Sequence, residues 1–183
     1  VLDPVAIGIG SLRTRILTAA KDYRPSIIRG NASEAIALSR LWGLDAGSAH
    51  EHTRGVDAQD SIEEARSSAI SLASYTCGAV AVSGEVDLVT DGTLVAYCTG
   101  GSSLMTKVTG SGCALGGVSA VYCGAANGDI LGAALAGTLA FDIAGSRAQT
   151  RADVRGPGSF QTAFLDELFH IASNDIAESM IKV

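Results

Sequence analysis

Met105-Thr106-Lys107-Val108-Thr109-Gly110-Ser111-Gly112-Cys113-Ala114-Leu115 decides how this chain is read. A β-branched run halts at a Gly-Ser-Gly turn, and a helix of small residues starts directly behind it. Such a junction points several unpaired backbone N–H groups, and the positive end of a helix dipole, at one place. Phosphate is the natural occupant of that place. The stretch therefore predicts a phosphoryl-handling protein in which Gly110, Ser111, Gly112 and Cys113 form an anion hole, with the Cys113 thiol on its rim.

Outward from this junction, strands alternate with helices. Val1–Val5 reads as a strand, Ser11–Tyr23 as an amphipathic helix, and Ser26–Ile28 as a second, short strand. Asn31 or Ser33 can cap a helix running to about Trp42. A polar loop over 43–60 leads to a helix at Ile62–Tyr75 and a fully apolar strand at Ala79–Ser83. Asp91-Gly92 marks a hairpin between Val86–Thr90 and Thr93–Cys98. Helices are expected at Gly112–Ala126, Asp129–Thr150 and Phe160–Ala172. This order predicts an α/β fold, a sheet layered by helices.

Ligands of such sheets gather at the carboxyl ends of the strands. Asp3-Pro4-Val5, Arg29-Gly30-Asn31-Ala32-Ser33-Glu34 and Ser83-Gly84-Glu85-Val86-Asp87 all fall there. Arg29 leaves the sheet where a guanidinium clamps phosphate oxygens. Glu34 suits Mg²⁺, which takes one or two carboxylates beside phosphates. Its plainer role is an acid at a helix N-terminus, stabilising by about 0.3–1 kcal/mol.

Composition narrows the classes. The chain has 183 residues, 47% apolar and 17% charged, enough for one domain with a proper core. A net charge of −6 with no Lys/Arg cluster argues against nucleic acid. No apolar run approaches the ~20 residues of a membrane span. Cys77, Cys98, Cys113 and Cys123 show no CxxC spacing, so reduced thiols in the cytoplasm are expected. A buried strand at residue 1 without an initiator Met predicts one domain over 1–183 that lacks its N-terminal strands and helices.

Standard nucleotide fingerprints fail. No GxxxxGK[ST] is present, and Arg13 stands where Gly8-Ile9-Gly10 would need its third glycine. His50-Glu51-His52 sits in a polar loop with no third ligand in sight, and reads as solvated.

The ordered motifs LDPV (2–5), IRGNASE (28–34), GVD (55–57), VSGEVDLVTDG (82–92), LMTKVTGSGCALG (104–116) and GPGSF (156–160) resemble the hydroxyethylthiazole kinase family. The resemblance runs from Leu2 to about Leu168 and corresponds to the C-terminal two-thirds of a typical member. It implies a ribokinase-like three-layer sandwich with a mostly parallel central sheet. It also implies ATP- and Mg²⁺-dependent phosphorylation of the primary hydroxyl of 4-methyl-5-(2-hydroxyethyl)thiazole, in thiamine biosynthesis or salvage, by a homotrimer. By the same resemblance Arg29 and Ser83 bind ATP, with Ser83 replacing the family's usual threonine. Gly110 contacts the alcohol, Glu34 and Asp3 lie at the metal, and Cys113 takes the position of a catalytic base.

Three readings compete with this one. The chain is an inactive or nucleotide-binding fragment, or a related kinase for a pyrimidine or pyridoxal alcohol, or a cysteine hydrolase built on Cys113. The last needs a nearby histidine, and none falls in a strand-end motif.

Overall fold

The computed structural model describes residues 1–44, 58–179 and 181–182. After helix α1 (Ser11–Ala20) and a 3₁₀ turn at Lys21–Tyr23 come β1 (Ile27–Asn31), α2 (Ala32–Leu41) and α3 (Ala58–Thr76). Strands β2 (Ala79–Ser83), β3 (Val86–Thr90) and β4 (Val95–Thr99) follow. Helices α4 (Ser111–Ala125), α5 (Ile130–Thr150), α6 (Pro157–Phe169) and α7 (Ser173–Ala177), then β5 (Ile181–Lys182), complete the order.

The five strands form one sheet in the order β1-β2-β3-β4-β5. Its middle is buried on both faces, and the period-2 alternation of side chains divides the core. Ile28, Val80, Val82 and Leu88 pack with Leu38, Leu72 and Trp42 from the α2–α3 side. Ile27, Ala79, Ala81, Val89 and Cys98 pack with Ala133, Ala134 and Leu139 of α5. Helices therefore cover both faces, and the expected three-layer α/β sandwich is what the chain builds. A third cluster, Leu115, Phe141, Ala144, Ala148, Phe160 and Phe164, joins α4, α5 and α6 beyond the sheet.

The mostly parallel pairing needs one correction for this chain. Leu2 bridges Ile28 and β1 pairs β2 in parallel, but β2-β3, β3-β4 and β4-β5 are antiparallel. Only Gly84 and Glu85 separate β2 from β3, far too few for a parallel crossover, which needs a dozen or more residues.

Two local expectations also change. The strand at Val1–Val5 reduces to the Leu2 bridge, because Pro4 has no N–H and the chain turns directly after it. The run before Gly110 is a 3₁₀ turn, Ser103–Lys107, rather than a strand, so Lys107 is not in mid-strand. Ser102 caps this turn, its Oγ accepting from the Leu104 amide at 3.1 Å. The hairpin's second strand begins at Val95, since the Asp91 carboxylate accepts from the amides of both Thr93 and Leu94 and lengthens the turn.

Candidate active site

Arg29 anchors the site. It is the third residue of β1, 6% exposed, and its guanidinium is held from two sides. Nη1 donates to Asp3 Oδ2 at 3.2 Å and Nη2 donates to Ser83 Oγ at 3.1 Å. The register explains the second contact: Arg29 lies opposite Ala81 on the parallel neighbour β2, which ends at Ser83. Nε and Asp3 Oδ1 are buried without partners among the described residues. A guanidinium so fixed is preorganised for an anion, with little rotamer freedom left to lose.

Helix α4 starts above this group. Gly110 is its N-cap in the left-handed region, φ +90°, which glycine adopts without strain. No side chain caps the helix. Of the amides assigned to the anion hole, that of Ser111 is already engaged, donating to the Val108 carbonyl at 3.3 Å. Ala114 closes the first turn on the Gly110 carbonyl at 2.9 Å. Among the described residues no acceptor meets the N–H groups of Gly112 and Cys113, so these two are free for an anion. The Ser111 hydroxyl donates to the Met105 carbonyl at 2.9 Å and ties the junction together.

The helix comes close to Arg29 because small residues face it. A Cβ at Gly112 would stand 3.1 Å from Arg29 Nη1, and one at Gly116 would stand 3.5 Å from Asp3 Oδ2. Arg29, Ser83, Ser111 and Gly112 line one cleft of about 630 Å³, together with Asp87, Met105, Phe141 and Asp142. Gly110 and Cys113 are exposed and do not line it. The Cys113 thiol, open to solvent at the second free amide, is therefore no core filler.

Glu34 occupies a different setting. Its Oε2 accepts from the Asn31 amide at 2.8 Å while Asn31 Oδ1 accepts from the Glu34 amide at 2.9 Å. This is a reciprocal capping box on α2. Oε1 accepts a longer bond, 3.4 Å, from the Ala6 amide. The motif thus has a structural explanation in the start of α2. Among the described residues no three His, Cys, Asp or Glu side chains gather as a metal cage. A magnesium ion beside phosphates needs only one or two carboxylates, and the unpartnered Asp3 Oδ1 meets that demand. His50-Glu51-His52 lies outside the described residues.

Two residues given no role in the sequence reading belong to the cleft. Asp87, on β3, accepts from the Gly84 amide at 2.7 Å. Asp142, in the middle of α5, is 8% exposed, and its Oδ2 has no partner among the described residues. Burial raises the pKa of both carboxyls; the Gly84 amide and Arg29 partly oppose this at Asp87, and the charge of Asp87 adds to it at Asp142. Burial, with both acids nearby, also lifts the Cys98 thiol to about 12. A lone acid inside the apolar run Leu139-Ala140-Phe141-Asp142-Ile143-Ala144 is the signal that could have marked Asp142 from sequence.

A family model described as the hydroxyethylthiazole kinase family matches residues 1–174. A hydroxyethylthiazole kinase of Bifidobacterium animalis subsp. lactis is 50% identical, over 98% of this chain and 61% of that relative. One from Citrobacter koseri is 44% identical, over 95% of this chain and 62% of that relative. The solved structure of hydroxyethylthiazole kinase from Pyrococcus horikoshii OT3 superposes with a TM-score of 0.78 at 27% identity. It covers 99% of this chain and 63% of the other. The chain thus spans somewhat under two thirds of the length of these relatives.

Proposed function

The chain belongs to the hydroxyethylthiazole kinase family, and from that premise we propose that it carries the phosphoryl-transfer half of an ATP-dependent kinase for 4-methyl-5-(2-hydroxyethyl)thiazole. One observation supports this most strongly: a buried guanidinium and the unpaired Gly112 amide line one cleft, with the unpaired Cys113 amide next in the chain.

In this reading ATP supplies the phosphoryl group that is transferred. Arg29, steadied by Asp3 and Ser83, binds the phosphate oxygens bidentately. The amides of Gly112 and Cys113 stabilise the charge on the moving group. Losing one such preorganised donor costs about 3–4 kcal/mol. Gly110 leaves open space for the alcohol. Asp3, whose Oδ1 has no partner among the described residues, and Glu34 would hold Mg²⁺, which would neutralise charge on the phosphates. The hydroxyl oxygen forms a bond to the γ-phosphorus while the bond to the bridging oxygen breaks and ADP departs. Cys113 orients that hydroxyl and takes its proton.

A cysteine hydrolase has less support, because His170, the one histidine among the described residues, ends α6 packed against Phe169 and makes no hydrogen bond to Cys113. Homotrimer formation also belongs to the proposal. Leu12 and Ile16, exposed one turn apart on α1, are candidates for its contacts. No helix among the described residues is long and apolar enough to cross a membrane.

The direct test is ATP-dependent turnover of the thiazole alcohol by this chain, followed through ADP release with pyrimidine and pyridoxal alcohols as controls. Turnover of the thiazole alcohol supports the reading. ATP binding without turnover of any alcohol favours the nucleotide-binding fragment instead.

A further inference from the structure

We propose that Asp142 is the nucleobase-reading residue of the cleft, its Oδ2 taking the hydrogen-bonding edge of a purine whose phosphates lie at Arg29. The inference rests on the kinase reading above and extends it to the other end of the same cleft.

Asp142 is more than nine-tenths buried, lines the cleft, and leaves Oδ2 without a partner among the described residues. Native folds seldom leave a buried carboxyl oxygen unpaired without a reason. The chain beside it is built to keep side chains away. Gly100 and Gly101 pass so close that a Cβ would stand 3.0 Å from Asp142 Cβ in the first case, and 3.5 Å from Oδ1 in the second. That passage is fixed, with the Gly101 amide donating to the Asp142 carbonyl at 3.0 Å and Ser146 Oγ donating to the Gly101 carbonyl at 3.1 Å. Backbone packed this closely fixes the Asp142 side chain and leaves its Oδ2 unsatisfied at the cleft.

The charges sort what can occupy it. Arg29 stands beside a free α4 amide, whereas Asp142 lies within electrostatic reach of Asp87 and Cys98. Phosphates go to the cation and the amide, and the pair of acids is left to another part of the ligand. Met105, Leu115 and Phe141 give the wall its apolar part, and Ser102, Ser103, Thr106 and Gln149 add polar groups around it. Apolar walls with a few placed polar groups suit a flat heterocycle. The occupant is the phosphoryl donor, because Arg29 lines the same cleft as Asp142. Burial pushes the carboxyl toward its neutral form, which offers one donor and one acceptor. A purine edge presents an acceptor beside a donor and matches that pair.

The test is calorimetric binding of ATP and inorganic triphosphate to the whole chain, its Asp142→Leu variant and its Asp142→Asn variant. Circular dichroism and melting verify the fold of each. Expected are about a tenfold or greater loss of ATP affinity in Asp142→Leu, a smaller loss in Asp142→Asn, and unchanged triphosphate binding in both. Equal ATP affinity in all three proteins overturns the assignment, as does an equal loss for ATP and triphosphate. Should Asp142→Leu not fold, the Asp142→Asn comparison of ATP with triphosphate decides. If the unaltered chain binds neither ATP nor triphosphate, the kinase reading itself fails and takes the assignment with it.

Discussion

Gly112 lies directly over Arg29: a methyl group at position 112 would stand 3.1 Å from Nη1 of a guanidinium already tied to Asp3 and Ser83. Neither tether lets the guanidinium retreat freely, so the close approach of α4 to the phosphate end depends on the missing side chain. Overpacking of this kind costs about 1–3 kcal/mol. Gly112→Ala should lower the urea midpoint accordingly and weaken ATP binding about tenfold, the equivalent of ~1.4 kcal/mol. An unchanged midpoint and an unchanged affinity would show that the contact is slack.

Glu34 has two roles that substitution can separate. Glutamine keeps an oxygen for the Asn31 amide and loses only the longer bond from Ala6, so Glu34→Gln should nearly preserve stability while weakening the response to magnesium. Glu34→Ala removes the cap as well, and should cost a further ~1 kcal/mol, the usual scale for losing a helix-start hydrogen bond. Unfolding curves and a magnesium titration of turnover read the two effects. A Glu34→Gln variant with an unaltered titration would remove the carboxylate from the cation's surroundings.

Cys113 is exposed beside a free amide, so its removal leaves no cavity in the core. Cys113→Ala should fold normally and lower kcat by about 10²–10⁴, the range of general acid–base help, with little change in the KM for ATP. Steady-state kinetics measure this, and an unchanged kcat would leave the thiol without a chemical role.

Asp142 makes stability depend on pH. Its pKa is raised from 3.8 to about 8, chiefly by burial. Between those values the folded chain holds a proton that the unfolded chain has released, so stability falls as pH rises. The contribution is complete below 3.8 and is lost by the time pH has passed about 8. Asp142→Asn, which cannot ionise, should melt higher than the unaltered chain at pH 9 and alike at pH 4. Parallel melting curves at both pH values would contradict the burial argument.

Much of the fold was legible because its signals are local. The apolar run Ala79–Ser83, the Asp91-Gly92 turn and the Asn31 cap each depend on neighbours in sequence. Three things were not legible. The 3₁₀ turn at Ser103–Lys107 overrides the β-branched Thr106 within it, because Ser102 caps the turn and Ser111 ties the Met105 carbonyl. The Ser111 amide was assigned to an anion, but a carbonyl only three residues back reaches it first. At the acidic end of the cleft, Asp87 and Asp142 meet only through the packing of α5 on the sheet, which no spacing along the chain reveals.

The two tethers of Arg29 reach across 26 and 54 residues, to the chain's first turn and to the next strand, while a third distant segment covers it from above. No fragment short of the finished sandwich can assemble such a seam. A molecule bound in the cleft therefore senses the entire tertiary arrangement, and its binding energy is added to global unfolding as RT ln(1 + [L]/Kd). Occupancy should thus shield the whole chain from proteolysis, remote helices included, to the same degree as it shields the cleft.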